Sequence, residues 1–176
     1  TVMKAKMQPG GVGLGPIVSD VNRTLCEGND ASMFVTAFCG FLDIETGDVT
    51  YVNAGHNPPV IVKADGQASY LKVAANVPLG VLGDKTFSEE KLRLERGDTL
   101  VLYTDGVTEA TNRQKDFFTE ARLLHVLAGA NRIAVRGVVE KTIAAVHQFA
   151  AGSDPADDIT LLALRMEPLI RQKQLS

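Results

Sequence analysis

Tryptophan is missing from this chain of 176 residues, cysteine occurs only twice and histidine three times. Without tryptophan, and with no interleaving of aromatic and basic side chains, there is no stacking platform for single-stranded nucleic acid. An excess of positive charge is missing too. Against 21 Asp and Glu stand 18 Lys and Arg, a net charge of −3, so no basic field draws a polyanion and no nucleic-acid partner is expected. Cys26 and Cys39 form no CxxC pair and have no histidine at zinc-ligand spacing. Cys39 stands in an apolar run and reads as a small buried hydrophobe, and nothing demands an oxidising compartment. No apolar run reaches the ~20 residues that cross a bilayer. Lys4 and Lys6 are not followed by the apolar core and cleavage site of a secretory signal, so the cytoplasm is the expected compartment, with no membrane partner.

What is present is the composition of a soluble globular domain, 45% hydrophobic and 22% charged, long enough to close one core. The opening Thr1-Val2-Met3-Lys4-Ala5-Lys6-Met7 reads as a helix already under way, and the expectation is a fragment whose beginning is missing. Gly10-Gly11-Val12-Gly13-Leu14-Gly15 superficially resembles a phosphate-binding loop. It lacks the preceding strand and the acidic residue further on, so it reads as a flexible connector. Pro16 is placed to start a helix with Ile17, Val21 and Leu25 on one face, ending near Gly28.

From Met33 the period changes. Residues 34–42 are apolar on both alternating faces and predict a strand buried on both sides. Thr46-Gly47 marks a hairpin turn into a strand over 49–53. Val60-Ile61-Val62 is the next strand, Asp65-Gly66 the next turn, and further strands are expected near 70–73, 87–94 and 99–103. The last third is helical. Leu123, Leu124 and Leu127 share one side of 120–127, and Val135, Val138, Val139, Ile143, Val146 and Phe149 form a long apolar face over 133–149. Gly152-Ser153-Asp154-Pro155 breaks this helix, a last strand follows, and 167–176 reads as a polar tail.

Strands apolar on both faces must be covered twice, and helices with one apolar stripe must lie against something. Two stacked antiparallel sheets with helices outside satisfy both demands, so the expected class is α+β, an α-β-β-α sandwich. A single sheet with helices on one face is the competitor, and it would leave 34–42 half exposed.

Two acidic motifs flank strand-like runs. Asp105 closes Thr99-Leu100-Val101-Leu102-Tyr103, and Asp157-Asp158 opens Ile159-Thr160-Leu161-Leu162-Ala163-Leu164. If the two runs pair antiparallel, the end of one lies beside the start of the other, and carboxylates distant in sequence meet at one sheet edge. Such a cluster suits a hard divalent cation, which prefers oxygen ligands. Asp-Gly and Asp-Asp are also ordinary turn residues bounding strands. On spacing alone both readings stand.

Six segments taken together resemble the metal-dependent protein phosphatases of type 2C, in their bacterial SpoIIE/RsbU-like branch. They are Met33-Phe34-Val35-Thr36-Ala37, Asn53-Ala54-Gly55-His56-Asn57-Pro58-Pro59, Pro78-Leu79-Gly80-Val81, Gly97-Asp98-Thr99-Leu100, Tyr103-Thr104-Asp105-Gly106-Val107-Thr108-Glu109-Ala110 and Asp157-Asp158-Ile159-Thr160-Leu161. Their order matches, and they span the chain from about residue 21 to 164. The resemblance implies an α-β-β-α sandwich, here incomplete at the N-terminus, over residues 1–166. It implies two Mn²⁺ or Mg²⁺ ions whose bound water attacks phosphoserine or phosphothreonine with no phosphoenzyme, so no nucleophilic cysteine is needed.

Carried over position by position, Asp105 and Asp157 match metal-binding, catalytic aspartates. Asp158 follows where other branches have Asn and would order a metal-bound water. Gly106 lets the chain turn behind Asp105, and Thr160 shares a strand face with Asp158. His56 is the candidate proton donor to the leaving alkoxide, set against a structural role in a turn held by Gly55, Pro58 and Pro59, with the imidazole on backbone. His125 and His147 read as surface positions on helices, and Glu109 as a solvated residue at a helix start.

The family carries two further aspartate motifs, one Gly-Asp-x-x-Asp-like and one Asp-x-Ser-Gly-His/Lys-Gly, and nothing before Met33 resembles either. The chain is thus expected to hold part of a metal cage, to bind metal weakly, and to show little activity alone. Apolar sheet edges left without neighbours would favour a homodimer or strand exchange. The leading expectation is a serine/threonine phosphatase domain acting on a phosphorylated anti-sigma-factor antagonist or a similar small signalling protein. The alternative is a non-catalytic module that binds such a partner. A third reading, an unrelated β-rich domain, requires both acidic motifs to be turns.

Overall fold

Turn signals in the sequence mark most of the strand ends. In a computed structural model, residues 13–153 and 157–167 are described. The chain order is α1 (Leu14–Cys26), β1 (Ala37–Leu42), β2 (Asp48–Ala54), β3 (Val60–Val62), β4 (Ala68–Tyr70), β5 (Glu90–Arg93) and β6 (Thr99–Tyr103). Then come α2 (Thr119–Leu127), a 3₁₀ turn (Ala130–Arg132), α3 (Val135–Ala150) and β7 (Leu161–Arg165). The opening helix, the start of the glycine-rich connector, the Asp154-Pro155 part of the break and residues 168–176 of the expected tail lie outside the described residues. Strands and helices form two antiparallel sheets with accompanying helices, the α+β class expected. No helix among the described residues is long and apolar enough to cross a membrane.

The chain divides into two compact units. The first comprises the described residues up to His56 together with Lys72–Arg93. Its sheet has the order β1-β2-β5, with Ala37 opposite Ala54 and Leu42 opposite Val49 in the β1–β2 hairpin. The Asp43 carboxylate caps the connecting turn by accepting from the amides of Glu45 and Thr46 at 2.8 and 3.1 Å, while Gly47 takes the left-handed conformation. Helix α1 packs on β2. Leu14, Val18, Val52, Ala54, Leu79 and Phe87 form the core.

Two expectations fail in this unit. Helix α1 starts at Leu14 rather than at Pro16; Ile17 is buried and Val21 packs against the core as expected, but Leu25 is exposed, and Leu14, Val18 and Asn22 join the buried face. The predicted strand over 34–42 begins only at Ala37 and is not buried on both sides. Phe34 and Val35 precede β1 and are exposed, as is Phe41 within it, and β1 is an edge strand whose only strand partner among the described residues is β2. An apolar pattern on both faces cannot distinguish an edge strand from a central one.

The second unit comprises Asn57–Leu71 and the residues from Leu94 onward. Its sheet has the order β4-β3-β6-β7, all antiparallel. The inner strands β3 and β6 are the most apolar. Val60, Val62, Val101 and Tyr103 are buried with Leu123 and Leu127 of α2 and Val138 and Val146 of α3. The buried stripe of α3 centres on Val138, Thr142 and Val146, and Thr142 is accommodated by donating its hydroxyl to the Val138 carbonyl at 2.8 Å.

Asp98 anchors the start of β6 and is almost fully buried. It accepts from the amides of Ala64 and Glu95, both at 3.0 Å, and pairs with Lys63 at 2.7 Å. The same turn bonds to the chain beyond β7. The Gly97 amide donates to the Met166 carbonyl at 2.7 Å, and the Met166 amide donates to the Asp98 carbonyl at 3.0 Å.

Candidate active site

The register of β6 and β7 decides where the acidic motifs go. Tyr103 faces Leu161 and Thr99 faces Arg165, so the residues leaving β6 lie beside those entering β7. The antiparallel pairing expected from the sequence is present. Beyond the strands the contact continues through Thr104. Its amide donates to the Thr160 carbonyl at 3.1 Å, and its hydroxyl donates to the Asp158 carbonyl at 2.9 Å. The same hydroxyl accepts from the Thr160 amide at 2.9 Å. One side chain thus stitches the segment ending at Asp105 to the segment beginning at Asp157.

Gly106 closes this junction, and its role is close approach rather than a left-handed turn. A Cβ at this position would lie 2.5 Å from the Asp158 carbonyl oxygen and 3.2 Å from that of Asp157. Only hydrogen fits there.

Asp105, Asp157 and Asp158 are exposed at this edge. Asp105 turns one carboxylate oxygen to the Gly106 amide at 3.0 Å, and Asp157 turns one to the Asp158 amide at 2.7 Å. Thr160 is placed by its backbone bonds to Thr104, just before β7 begins. The donor set is all carboxylate oxygen, the chemistry a hard divalent cation requires. The number of donors falls short, however. Among the described residues no group of three or more His, Cys, Asp or Glu side chains could enclose a metal ion. The carboxylates fit such a cation in kind and not in count.

Glu109 does not start a helix. Its amide donates to the Asp105 carbonyl at 2.8 Å within a run of turns, and α2 begins only at Thr119. Turn after turn here follows from the junction, because the chain must fold back behind Gly106 before it can reach the helix layer. His125 and His147 are exposed on α2 and α3, as expected.

His56 belongs to the first unit. Its turn is held by Asn53, whose side chain accepts from the His56 amide and donates to the His56 carbonyl, both at 3.0 Å. The imidazole Nδ1 lies 3.2 Å from the Thr36 hydroxyl. The neighbouring motifs interlock. Val35 and Leu79 exchange backbone bonds at 3.0 and 2.8 Å, and left-handed Gly55 sits so close to Pro78 that a Cβ would fall 2.7 Å from its nitrogen. Buried Asn22 ties helix α1 to the same loop, donating to the Leu82 carbonyl at 2.7 Å and accepting from the Gly80 amide at 2.9 Å.

Sequence reasoning missed three positions. The roles of Thr104 and Asn22 are not assigned from the sequence, and Asp98 reads there as part of a turn. The one available signal was that Thr104 and Asp98 each sit one residue outside the apolar run they bound.

Comparison with known proteins follows the same segments. The family profile "Stage II sporulation protein E (SpoIIE)" matches residues 3–167. Protein IcfG of Synechocystis is 36% identical over 138 residues, 78% of this chain and 22% of that protein. Phosphoserine phosphatase RsbU of Bacillus subtilis is 29% identical over 155 residues, 88% of this chain and 46% of its own length. The chain therefore spans less than half of either relative. Among solved structures, the RsbU and RsbW domains of Rv1364c from Mycobacterium tuberculosis superpose with a TM-score of 0.71 at 26% identity, covering 93% of this chain and 44% of that one. The SiaA-PP2C domain of Pseudomonas aeruginosa gives 0.77 at 18% identity, over 93% and 65% of the two chains, a likeness of fold.

Proposed function

The chain belongs to the SpoIIE family, in its RsbU-like branch of metal-dependent serine phosphatases, and on that premise we propose that it takes part in hydrolysing phosphoserine or phosphothreonine on a small signalling protein. The observation that carries this reading is the Thr104 junction, which sets Asp105 beside Asp157 and Asp158 at one exposed edge. In this reading Asp105 and Asp157 are metal ligands for Mn²⁺ or Mg²⁺, and Asp158 orients a water near them. When bound, such a cation lowers the pKa of its water and neutralises phosphoryl charge. Because the carboxylates present are too few to enclose one, no reaction step is assigned through it. The chain's own contribution is positional: Thr104 and Gly106 hold two carboxylate-bearing segments in contact, and exposure leaves them open to a phosphoprotein. By family likeness that phosphoprotein would be an anti-sigma-factor antagonist or a similar regulator. His56 is assigned to the turn at Asn53 and Thr36.

Titration calorimetry with Mn²⁺ tests the ligand assignment. Two carboxylates and water predict weak binding, and Asp105→Asn and Asp157→Asn should each abolish the signal. Heats unchanged in both variants would remove these residues from any metal site. The same short donor count favours one second reading, a module that binds the phosphoprotein without cleaving it. Full phosphopeptide binding with no Mn²⁺ heat selects that reading.

A further inference from the structure

The carboxylate edge does not stand on a flat surface. Gly106 and Asp157 form one end of a cleft of ≈ 290 Å³ between the loop after β6 and the C-terminal half of α3. Its walls include Ala110, Val146, Ala150 and Ile159, with exposed His147 also lining it. Ala110 and Val146 are buried, so they make an apolar floor. A cavity of ~150 Å³ lined by aliphatic groups already accommodates a benzene ring, so this one has room for a whole aliphatic side chain. Small residues at positions 106, 110 and 150 create the space. The alanines keep it apolar, and Gly106 keeps it continuous with the acidic edge.

We propose that this cleft is a specificity pocket that takes one aliphatic side chain, of the size of leucine, from the residue flanking the phosphorylated serine. The inference rests on the reading of the acidic edge as the phosphate-processing site. The occupant follows from continuity: a peptide whose phosphate lies at Asp105 and Asp157 has its neighbouring side chains beside Gly106, where the cleft begins. An acidic flanking side chain is disfavoured by Asp157 at the entrance and by the apolar floor. An alanine would leave the pocket unfilled. One methylene more or less in an apolar pocket changes recognition by roughly 10- to 200-fold, so the site discriminates among phosphoserine sequences.

The test uses phosphoserine peptides carrying Leu, Ala or Glu at each flanking position, with affinity read by fluorescence anisotropy and turnover by phosphate release. At one flanking position Leu should exceed Ala by about tenfold or more, with Glu weakest. Ala150→Leu, which puts another good helix former at the last residue of α3, fills the pocket and should bring the Leu-to-Ala ratio near one. Val146→Ala enlarges it and should move the preference from Leu to Phe. Equal binding of Leu and Ala peptides at every position, no binding of any peptide, or a preference that survives Ala150→Leu overturns the inference. A Leu preference that Ala150→Leu erases, found with Mn²⁺ heats that Asp105→Asn and Asp157→Asn leave unchanged, upholds the pocket and overturns the metal-ligand reading alone.

Discussion

The same substitution at two glycines should have opposite effects. In Gly106→Ala the new methyl would lie 2.5 Å from the Asp158 carbonyl oxygen and 3.0 Å from its carbon, where ordinary contact begins at 3.4 Å. Both obstacles are backbone, so no flexible side chain can swing away. The Asp157-Asp158 segment must retreat by about 0.9 Å, which strains the junction and stretches the Thr104–Asp158 hydrogen bond of 2.9 Å. Overpacking costs about 1–3 kcal/mol and the weakened bond about 0.5–1.5, offset by about 0.4–1 from the stiffer unfolded chain. The expected net loss is about 1–3 kcal/mol, a urea midpoint lower by on the order of 1 M with the slope unchanged.

Gly137→Ala on α3 is the control. Its Cβ would meet only Ile133 side-chain atoms, at 3.6 Å or beyond, so the helix should gain about 0.5–1 kcal/mol. Displacing a ligand by ~1 Å costs roughly 100-fold where positioning matters, so the Gly106 variant should also lose its Mn²⁺ heat while the Gly137 variant keeps it. Equal urea midpoints for the two variants would refute the argument from close approach.

Other outcomes follow from the two cores. Asp98→Ala should destabilise by about 1–3 kcal/mol, because the part-buried amide bonds from Ala64 and Glu95 lose their acceptor while half-exposed Lys63 rehydrates. Asp98→Asn, which can still accept, should lose less, and thermal melts in which Asn is the worse of the two would contradict this. All three tyrosines are raised. Burial is the first cause for each, reinforced at Tyr51 by Glu90 and at Tyr103 by Tyr70. A phenol raised in the fold stays neutral there while the unfolded chain ionises. Its contribution is complete below about pH 10 and drains away as pH climbs further. Tyrosinate absorbance should therefore appear together with loss of circular dichroism, and ionisation well before unfolding would count against it.

Much of the site was legible because its logic is local at both ends. An apolar run closed by one aspartate and another opened by two can bring those residues together only by antiparallel pairing, and β6 and β7 do so. The limits lay where tertiary context outweighs pattern. Residues 34–42 carry the composition of a central strand, yet among the described residues β1 is an edge, because neighbours far along the chain settle that question. Leu25 fits the period of α1 but lies past the reach of its core. Thr104 was invisible as a latch, since a threonine at a strand end is ordinary until the carbonyl it bonds is known. Asn22 and Thr142 sit in buried stripes that hydrophobicity alone would never assign to them.

The two fastenings of the β6–β7 pair have a consequence for how the carboxylates are placed. Gly97 and Asp98 hold one end to Met166, and Thr104 holds the other to Asp158 and Thr160. Strands slide only by whole residues. A one-residue slip turns every side chain of β7 over, and a two-residue slip carries Asp157 about 7 Å along the sheet. The spacing between Asp105 and Asp157 is thus counted in steps rather than tuned along a continuum. A single inserted or deleted residue between the two fastenings would throw the carboxylates out of phase.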